Sequence, residues 1–276
     1  MKKTDKKTAK NTKQPDKKEP MSEKNKMILK AAVLFFILAA VVGALITGSV
    51  YLVKAVCYEN SNYILRNVNV ASNGYWHNRN NIVGKYAGLN IRKDNIFRID
   101  LNKIKEKVMK IDNVQHCDVR RILPDTIQIN IIERVPRARI SRQPDYLLDE
   151  TGTVLSRKYS MLPTHSLPLL TGLHLKEKLK LNNTVPELYN VMQIIVRTLR
   201  YYSDIEIVAA DVSNKDFIKL YVRYAKGRLR QAIMPNTLQG VDIRMKALRT
   251  ALIQSHAAQD SIKIYNLSFD GRVVCQ

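Results

Sequence analysis

The hydrophobic pattern divides the chain into three stretches. Residues 31–53 are 23 uncharged positions in a row, rich in Ala, Val, Leu, Ile and Phe, and bounded by Lys30 and Lys54. At about 1.5 Å of rise per residue, a helix of this length crosses a hydrocarbon core of about 30 Å with some tilt. A buried helix of a soluble protein seldom stays apolar on every side for so long. A cleavable signal has an apolar core of only about 7–15 residues and a small-residue cut site. This run is longer and ends in Ser49, Val50, Tyr51, Leu52 and Val53, so it is predicted to be an uncleaved membrane anchor. Ala40, Ala44 and Gly48 recur every four residues, a spacing that permits close helix packing in lipid.

After the anchor the pattern changes to short alternating runs. Residues 65–71 alternate, with Val68 and Val70, and Ser72-Asn73-Gly74 breaks the run. Asn80 and Asn81 can cap a short helix carrying Ile82, Val83, Tyr86 and Ala87, which Gly88 stops. Asp100 caps a second helix whose single apolar stripe is Leu101, Ile104, Val108 and Ile111. Residues 114–123 alternate again: Cys117 and Val119 face one way, His116, Asp118 and Arg120 the other. A Leu123-Pro124-Asp125-Thr126 turn leads into the clearest strand, with Ile127, Ile129 and Ile131 on one face and Thr126, Gln128 and Asn130 on the other. Residues 63–140 thus read as a β-α-α-β-β module.

Residues 141–276 form a second module. Tyr146-Leu147-Leu148 and Val154-Leu155 flank a hairpin signal at Asp149-Glu150-Thr151-Gly152. Leu188, Val191, Met192, Ile195 and Leu199 make a helical stripe, and Ala247, Leu248, Ala251 and Leu252 mark a second helix. Residues 205–210, 217–222 and 228–234 read as strands. Near the end Ile262, Ile264 and Asn266 alternate with Lys263, Tyr265 and Leu267, and Asp270-Gly271 is a tight-turn pair. The fold class is therefore α+β: a single N-terminal transmembrane helix, the β-α-α-β-β module, and a mixed α/β domain with a mostly antiparallel sheet.

Charge refines this picture. The formal net charge is +22, from 46 basic and 24 acidic residues. Residues 1–30 hold 11 Lys against Asp5, Asp16, Glu19 and Glu23, with almost nothing apolar before Met27. That segment is expected to be a disordered basic tail, cytoplasmic by the positive-inside rule, with everything from residue 54 onward outside the cytoplasm. Topology accounts for the tail's charge, and a domain outside the cytoplasm weakens a nucleic-acid reading, so no nucleic-acid partner is expected.

The chemistry of an enzyme is not legible. The five histidines, His77, His116, His165, His174 and His256, are scattered, and no zinc spacing, phosphate-binding glycine loop or nucleophile elbow occurs. No cofactor, metal or catalytic residue is expected. Cys57 sits just past the anchor, Cys117 on an inward strand face, and Cys275 at the penultimate position. Trp76 follows a turn as either a lid on its module or a partner contact.

The run from Val114 to Ile140 carries a resemblance. Cys117, Val119, Arg120, Leu123-Pro124-Asp125-Thr126, the Ile127/Ile129/Ile131 strand, Glu133, Pro136 and Ala138 resemble the end of a POTRA domain in the FtsQ/DivIB family of bacterial cell-division proteins. Leu167-Pro168-Leu169-Leu170-Thr171-Gly172 and the closing "SIKIYNLSFDGRVVCQ" are similar to segments of that family's β domain, although Ser268 stands where the family usually has Arg. The resemblance implies a POTRA domain over 63–140, a β domain over 141–276, and a non-enzymatic scaffold of the division machinery at the septum. Such a scaffold couples early and late division proteins and regulates septal wall synthesis. The implied partners are FtsB-like and FtsL-like bitopic proteins, with other divisome members meeting the POTRA domain and the bilayer meeting residues 31–53. In the family the final strand region receives FtsB, and here that region is Leu267, Ser268, Phe269, Asp270, Gly271 and Val273. Two alternatives stand beside it: a membrane-anchored basic module for anionic wall polymer or nucleic acid, and a POTRA chaperone for outer-membrane proteins.

The topology is testable directly. A reporter active only in the periplasm should work when fused at Gln276 and fail at the N-terminus; the reverse pattern overturns the orientation.

Overall fold

A computed structural model describes residues 23–173, 179–269 and 272–276. The chain forms two compact units, Met1–Glu59 and Asn60–Gln276. In the first unit, α1 (Glu23–Val53) runs on through a π-helical turn at Lys54–Tyr58. The helix is long and apolar enough to cross a membrane. It begins eight residues before the uncharged run, with Glu23 in its first turn and Lys24, Lys26, Met27, Leu29 and Lys30 following. Straight-chain residues extend a helix readily, and an acid at its start complements the helix dipole. Part of the tail expected to be disordered is therefore helical; residues 1–22 lie outside the described residues.

The second unit contains two hydrophobic cores. The first is built by β1 (Asn67–Ser72), α2 (Asn80–Ala87), α3 (Leu101–Val108), β2 (Val114–Ile122) and β3 (Thr126–Glu133). The strand order is β1-β3-β2, with β1 parallel and β2 antiparallel to β3. This is the expected β-α-α-β-β module. Ile127, Ile129 and Ile131 point into the core with Val68, Val70, Cys117, Ile104 and Val108. Asp100 caps α3, its carboxylate accepting from the N–H groups of Asn102 and Lys103. Gly88 ends α2 at φ 74°, a left-handed conformation that favours glycine. Asn80 does not cap α2: its side chain accepts from the Val70 N–H at 2.8 Å and so finishes the outer edge of β1.

The second core lies between a nine-stranded sheet and two helices. Its elements are β4 (Ala138–Ile140), β5 (Gln143–Leu148), β6 (Val154–Ser156), β7 (Leu169–Thr171), α4 (Tyr189–Tyr201), β8 (Ile205–Asp211), β9 (Phe217–Tyr224), β10 (Leu229–Pro235), α5 (Val241–Ala258), β11 (Ile264–Asn266) and β12 (Val274–Cys275). The order across the sheet is β12-β11-β10-β9-β8-β7-β4-β5-β6. Five pairings are antiparallel and three parallel. The expected hairpin is β5–β6. β4, which ends at Ile140, pairs with β5 and β7.

On α4, Val191, Met192 and Ile195 are buried as the stripe predicts, but Leu199 is 60% exposed. Ile194 and Thr198 complete the buried arc instead. Thr198 reads as polar, yet its hydroxyl donates to the Ile194 C=O at 2.8 Å, so the side chain enters the core with its hydrogen bond made.

The cores are joined by polar contacts. Glu133, at the end of β3, is buried; its carboxylate accepts from the N–H groups of Tyr75 (2.9 Å) and Trp76 (2.6 Å) and from the Ser72 hydroxyl. A Cβ on Gly74 would stand 2.6 Å from that carboxylate, so a side chain there would force the Glu133 carboxylate to shift from these bonds. Arg134 then pairs with the buried Asp149 at 2.6 Å, and the Arg137 N–H donates to the Leu148 C=O at 2.7 Å.

Ile129 is fully buried at the centre of β3. Ile129→Asp places an unpaired carboxylate there, a cost of several kcal/mol against a domain stability of roughly 5–15 kcal/mol. Loss of cooperative thermal unfolding from this module is the expected result; an unchanged unfolding curve would put this face in solvent.

Candidate partner-binding edge

A sheet ends in two strands whose outer N–H and C=O groups have no ladder partner. At the β6 end those groups are covered. The Val154 N–H donates to the Asn183 C=O and its own C=O accepts from the Asn182 N–H, both at 2.9 Å. Next along, the Asn113 side chain acts as a one-residue strand. Its Oδ1 accepts from the Ser156 N–H at 2.7 Å and its Nδ2 donates to the Ser156 C=O at 2.8 Å. Asn113 is buried and left-handed at φ 66°.

The β12 end differs. Gln276 exchanges both backbone bonds with Ile264 at 3.0 Å, so the alternation of an antiparallel ladder turns the backbone groups of Cys275 outward. Val274, Cys275 and Gln276 are exposed. Behind this edge β11 is held firmly. Tyr265 and Leu267 are fully buried. The Leu267 N–H donates to the Ile233 C=O at 2.8 Å, and its C=O accepts from Arg244 Nε at 3.2 Å. Arg230, nearly buried, reaches Asp260 and the Tyr265 hydroxyl at 3.1 Å each, and the Ser255 hydroxyl donates to the same Asp260 carboxylate.

The six residues read from the sequence as the partner edge separate on this frame. Leu267, one residue past β11, is a core residue; like Tyr265 two positions earlier it is fully buried. Ser268 is half-buried, with its N–H on the Asn266 side chain at 3.0 Å. Phe269 is 57% exposed. Val273 is half-buried and packs against the second core. Asp270 and Gly271 lie outside the described residues.

Other expectations resolve more simply. Trp76 is a core side chain, 2% exposed, with its ring 5.0 Å from those of Tyr75 and Tyr159 and its Nε1 donating to the Asp112 C=O at 3.0 Å. Cys117 is buried, and desolvation pushes its thiol up to about 11, against a smaller opposing pull from Lys105. Cys275 is exposed at the edge strand, and Cys57 is half-buried.

Sequence reading missed Asn113, Glu133 and the Arg230–Asp260 cluster as structural agents. Asn113 carried a faint signal, because Asn directly after a helical stripe suits a left-handed position. Glu133 was visible only as a motif letter. Nothing local in the sequence ties Arg230 to Asp260.

The Asp260 carboxyl is held below its ordinary value, first by the Ser255 hydroxyl, then by the Ile262 N–H and by Arg230, with desolvation opposing. A depressed folded value means stability that is complete above the unfolded value and lost as pH falls through the folded one. Hydrogen exchange of residues 262–276 should therefore accelerate below about pH 4, and Asp260→Asn should remove that acid step. Parallel behaviour of both proteins down to about pH 3 would show that the cluster does not hold the edge.

A family model described as "POTRA domain, FtsQ-type" matches residues 65–134. The cell division protein FtsQ of Koribacter versatilis is 28% identical over 135 residues, covering 48% of this chain and 39% of the relative. FtsQ of Syntrophotalea carbinolica is 35% identical over 63 residues, 23% of this chain and 22% of the relative. The cell division protein DivIB of Clostridium tetani is 25% identical over 189 residues, 66% of this chain and 68% of the relative. The matched region thus spans well under half of the two FtsQ relatives. Residues 65–134 are similar to an FtsQ-type POTRA domain, and the chain is similar to FtsQ and DivIB cell-division proteins over part of its length.

Proposed function

We propose that this protein is a non-enzymatic scaffold of the division machinery that takes a strand from an FtsB-type partner at β12. Its α1 helix is the membrane anchor, its N-terminus is cytoplasmic, and both modules lie outside the cytoplasm at the division septum. An FtsL-type partner is held as well, and other division proteins meet the POTRA domain, so that early and late components are coupled and septal wall synthesis is regulated. The POTRA domain takes residues 63–140 and the β domain residues 141–276.

The observation that carries this reading is the unequal treatment of the sheet's two ends. The β6 end is covered by Asn113, Asn182 and Asn183, and the β12 end is exposed. Strand addition gains affinity from main-chain hydrogen bonds and specificity from alternating side chains, so it needs an uncovered edge beside an apolar anchor. Phe269 supplies the anchor, and Leu267 fixes the backbone behind it. The outer edge of β2 is a poorer acceptor: it is interrupted by a bulge near His116 and carries Asp118, Arg120 and Arg121, features that discourage pairing.

Buried aromatics contribute heavily at interfaces. Phe269→Ala should cost roughly 2–4 kcal/mol of binding to an FtsB-type peptide, about 30- to 1,000-fold in affinity. Thermal unfolding of the same full-length protein should change little, because the ring is mostly exposed. Normal affinity in the mutant would remove Phe269 from the site. A steep salt dependence with tolerance of changes at 267–273 would favour the polyanion-binding alternative.

A further inference from the structure

The POTRA domain is entered at one end, and that end has a distinctive surface. Three backbone bonds gather it: the Leu65 N–H to the Asp94 C=O (2.8 Å), the Arg92 N–H to the Leu65 C=O (2.7 Å), and the Arg66 N–H to the Asp125 C=O (2.8 Å). Arg121 ties the same loop to β2, its Nε donating to the Ile96 C=O at 2.8 Å. The entry segment, the loop before α3 and the β2–β3 turn therefore form one surface.

Arg66, Arg92, Lys93 and Arg98 are exposed on it. Beside them stand Ile91 and Leu123, 41% and 56% exposed. Three acids stand among them: Asp94, which accepts from the Asn90 N–H at 2.9 Å, Asp125, 3.9 Å from Arg66, and Asp100, which caps α3; with Arg121 behind them the cations still outnumber the acids. A cluster of cations with apolar side chains among them suits a bilayer interface, where phosphates take the charge and the hydrocarbon boundary takes the apolar groups.

Covalent connection adds a second argument. Two residues, Glu59 and Asn60, join Tyr58 at the end of the helix to a 3-10 turn at Ser61–Tyr63, whose Tyr63 C=O accepts from the Ile96 N–H at 2.8 Å. Fully extended, they reach about 7 Å. Electrostatic attraction to a charged surface fades over a Debye length of about 8–10 Å, so a tether this short keeps the cationic end within the range where lipid charge acts.

We propose that this end of the POTRA domain docks on the headgroup layer of an anionic bilayer, with Arg66, Arg92, Lys93 and Arg98 on lipid phosphates and Ile91 and Leu123 in the interface. The proposal rests on α1 being the membrane anchor. Docking restricts the rotation that the Glu59–Asn60 link leaves free, so the module is presented to its partners in fewer orientations.

The test uses the full chain in vesicles. A fluorophore is placed by Leu123→Cys in a Cys57→Ser, Cys275→Ser background, Cys117 being buried, and nitroxide-labelled lipid is the quencher. Quenching should be at least about threefold greater with about 30% phosphatidylglycerol than with phosphatidylcholine alone, and about 0.5 M salt should remove the difference. Joint Arg66→Glu, Arg92→Glu, Lys93→Glu and Arg98→Glu substitution should abolish it, while a fluorophore at Lys215→Cys in the second module should report none. Retention of the chain in neutral vesicles after alkaline washing reads the anchor separately. A retained chain with equal quenching in both lipids overturns docking and leaves the anchor standing. A chain washed out of neutral vesicles overturns the anchor and, with it, this proposal. Protection by an acidic peptide without any lipid effect overturns docking in favour of a protein partner.

Discussion

A β-sheet must dispose of the backbone hydrogen-bonding groups along both of its rims, and in this protein that requirement organises the β domain. Nine strands in one sheet leave only β6 and β12 with an unpaired side. At β6 the groups are met within the chain, by two residues of a loop and by one asparagine from the POTRA side. That solution also fastens the modules, because Asn113 lies just before β2 while Ser156 ends β6. The same bonds that close the sheet therefore set the POTRA domain against it, and they leave β12 as the strand through which the sheet can grow.

The connection has a second layer at Glu133 and Arg134. Adjacent residues face opposite ways: the Glu133 carboxylate gathers the loop after β1, and the Arg134 guanidinium meets Asp149 at the tip of the β5–β6 hairpin. Removing a charged partner from a buried pair generally costs more than forming the pair gains, since the remaining charge is left desolvated. Asp149 lowers that exposure by also accepting from the Thr151 and Thr153 N–H groups at 2.8 and 2.9 Å. The junction thus specifies one arrangement of hairpin and strand, whatever its net contribution to stability.

Much of the fold was legible because its signals are local. Ile127, Ile129 and Ile131 alternate, Asp100 precedes an amphipathic helix, and Gly88 follows one; each statement needs only a few neighbouring residues. The misreadings share the opposite character. Thr198 is buried and Leu199 exposed because a hydroxyl satisfied within its own helix can enter a core. Asn80 looked like a cap, but Val70, ten residues earlier, claims its side chain. Of the candidate edge, Phe269 was named only through the resemblance, and it is exposed. Leu267 was not recognised as core, because the inward face of β11 depends on where β10 lies. Asn113 and Ser156 are 43 residues apart, and no periodicity in either segment announces the other.

An open edge is a hazard as well as a site, since it can pair with another copy of itself. Here β12 is only two residues long, short of the usual 3–10, and it stands next to the exposed Arg272 on a protein of net charge +22. Short length and like charge both oppose self-pairing. They also limit what the edge can give a genuine partner, so the proposed strand addition needs help from elsewhere. Phe269 provides one source. A shared bilayer provides another: a partner anchored in the same membrane meets this edge at a raised effective concentration, and weak pairing then suffices for occupancy. The proposed docking of the POTRA end would strengthen that effect by limiting the orientations the edge samples. On the proposed function, the anchor, the cationic entry surface and the short open strand would act together, with recognition weak in solution and effective at a membrane surface.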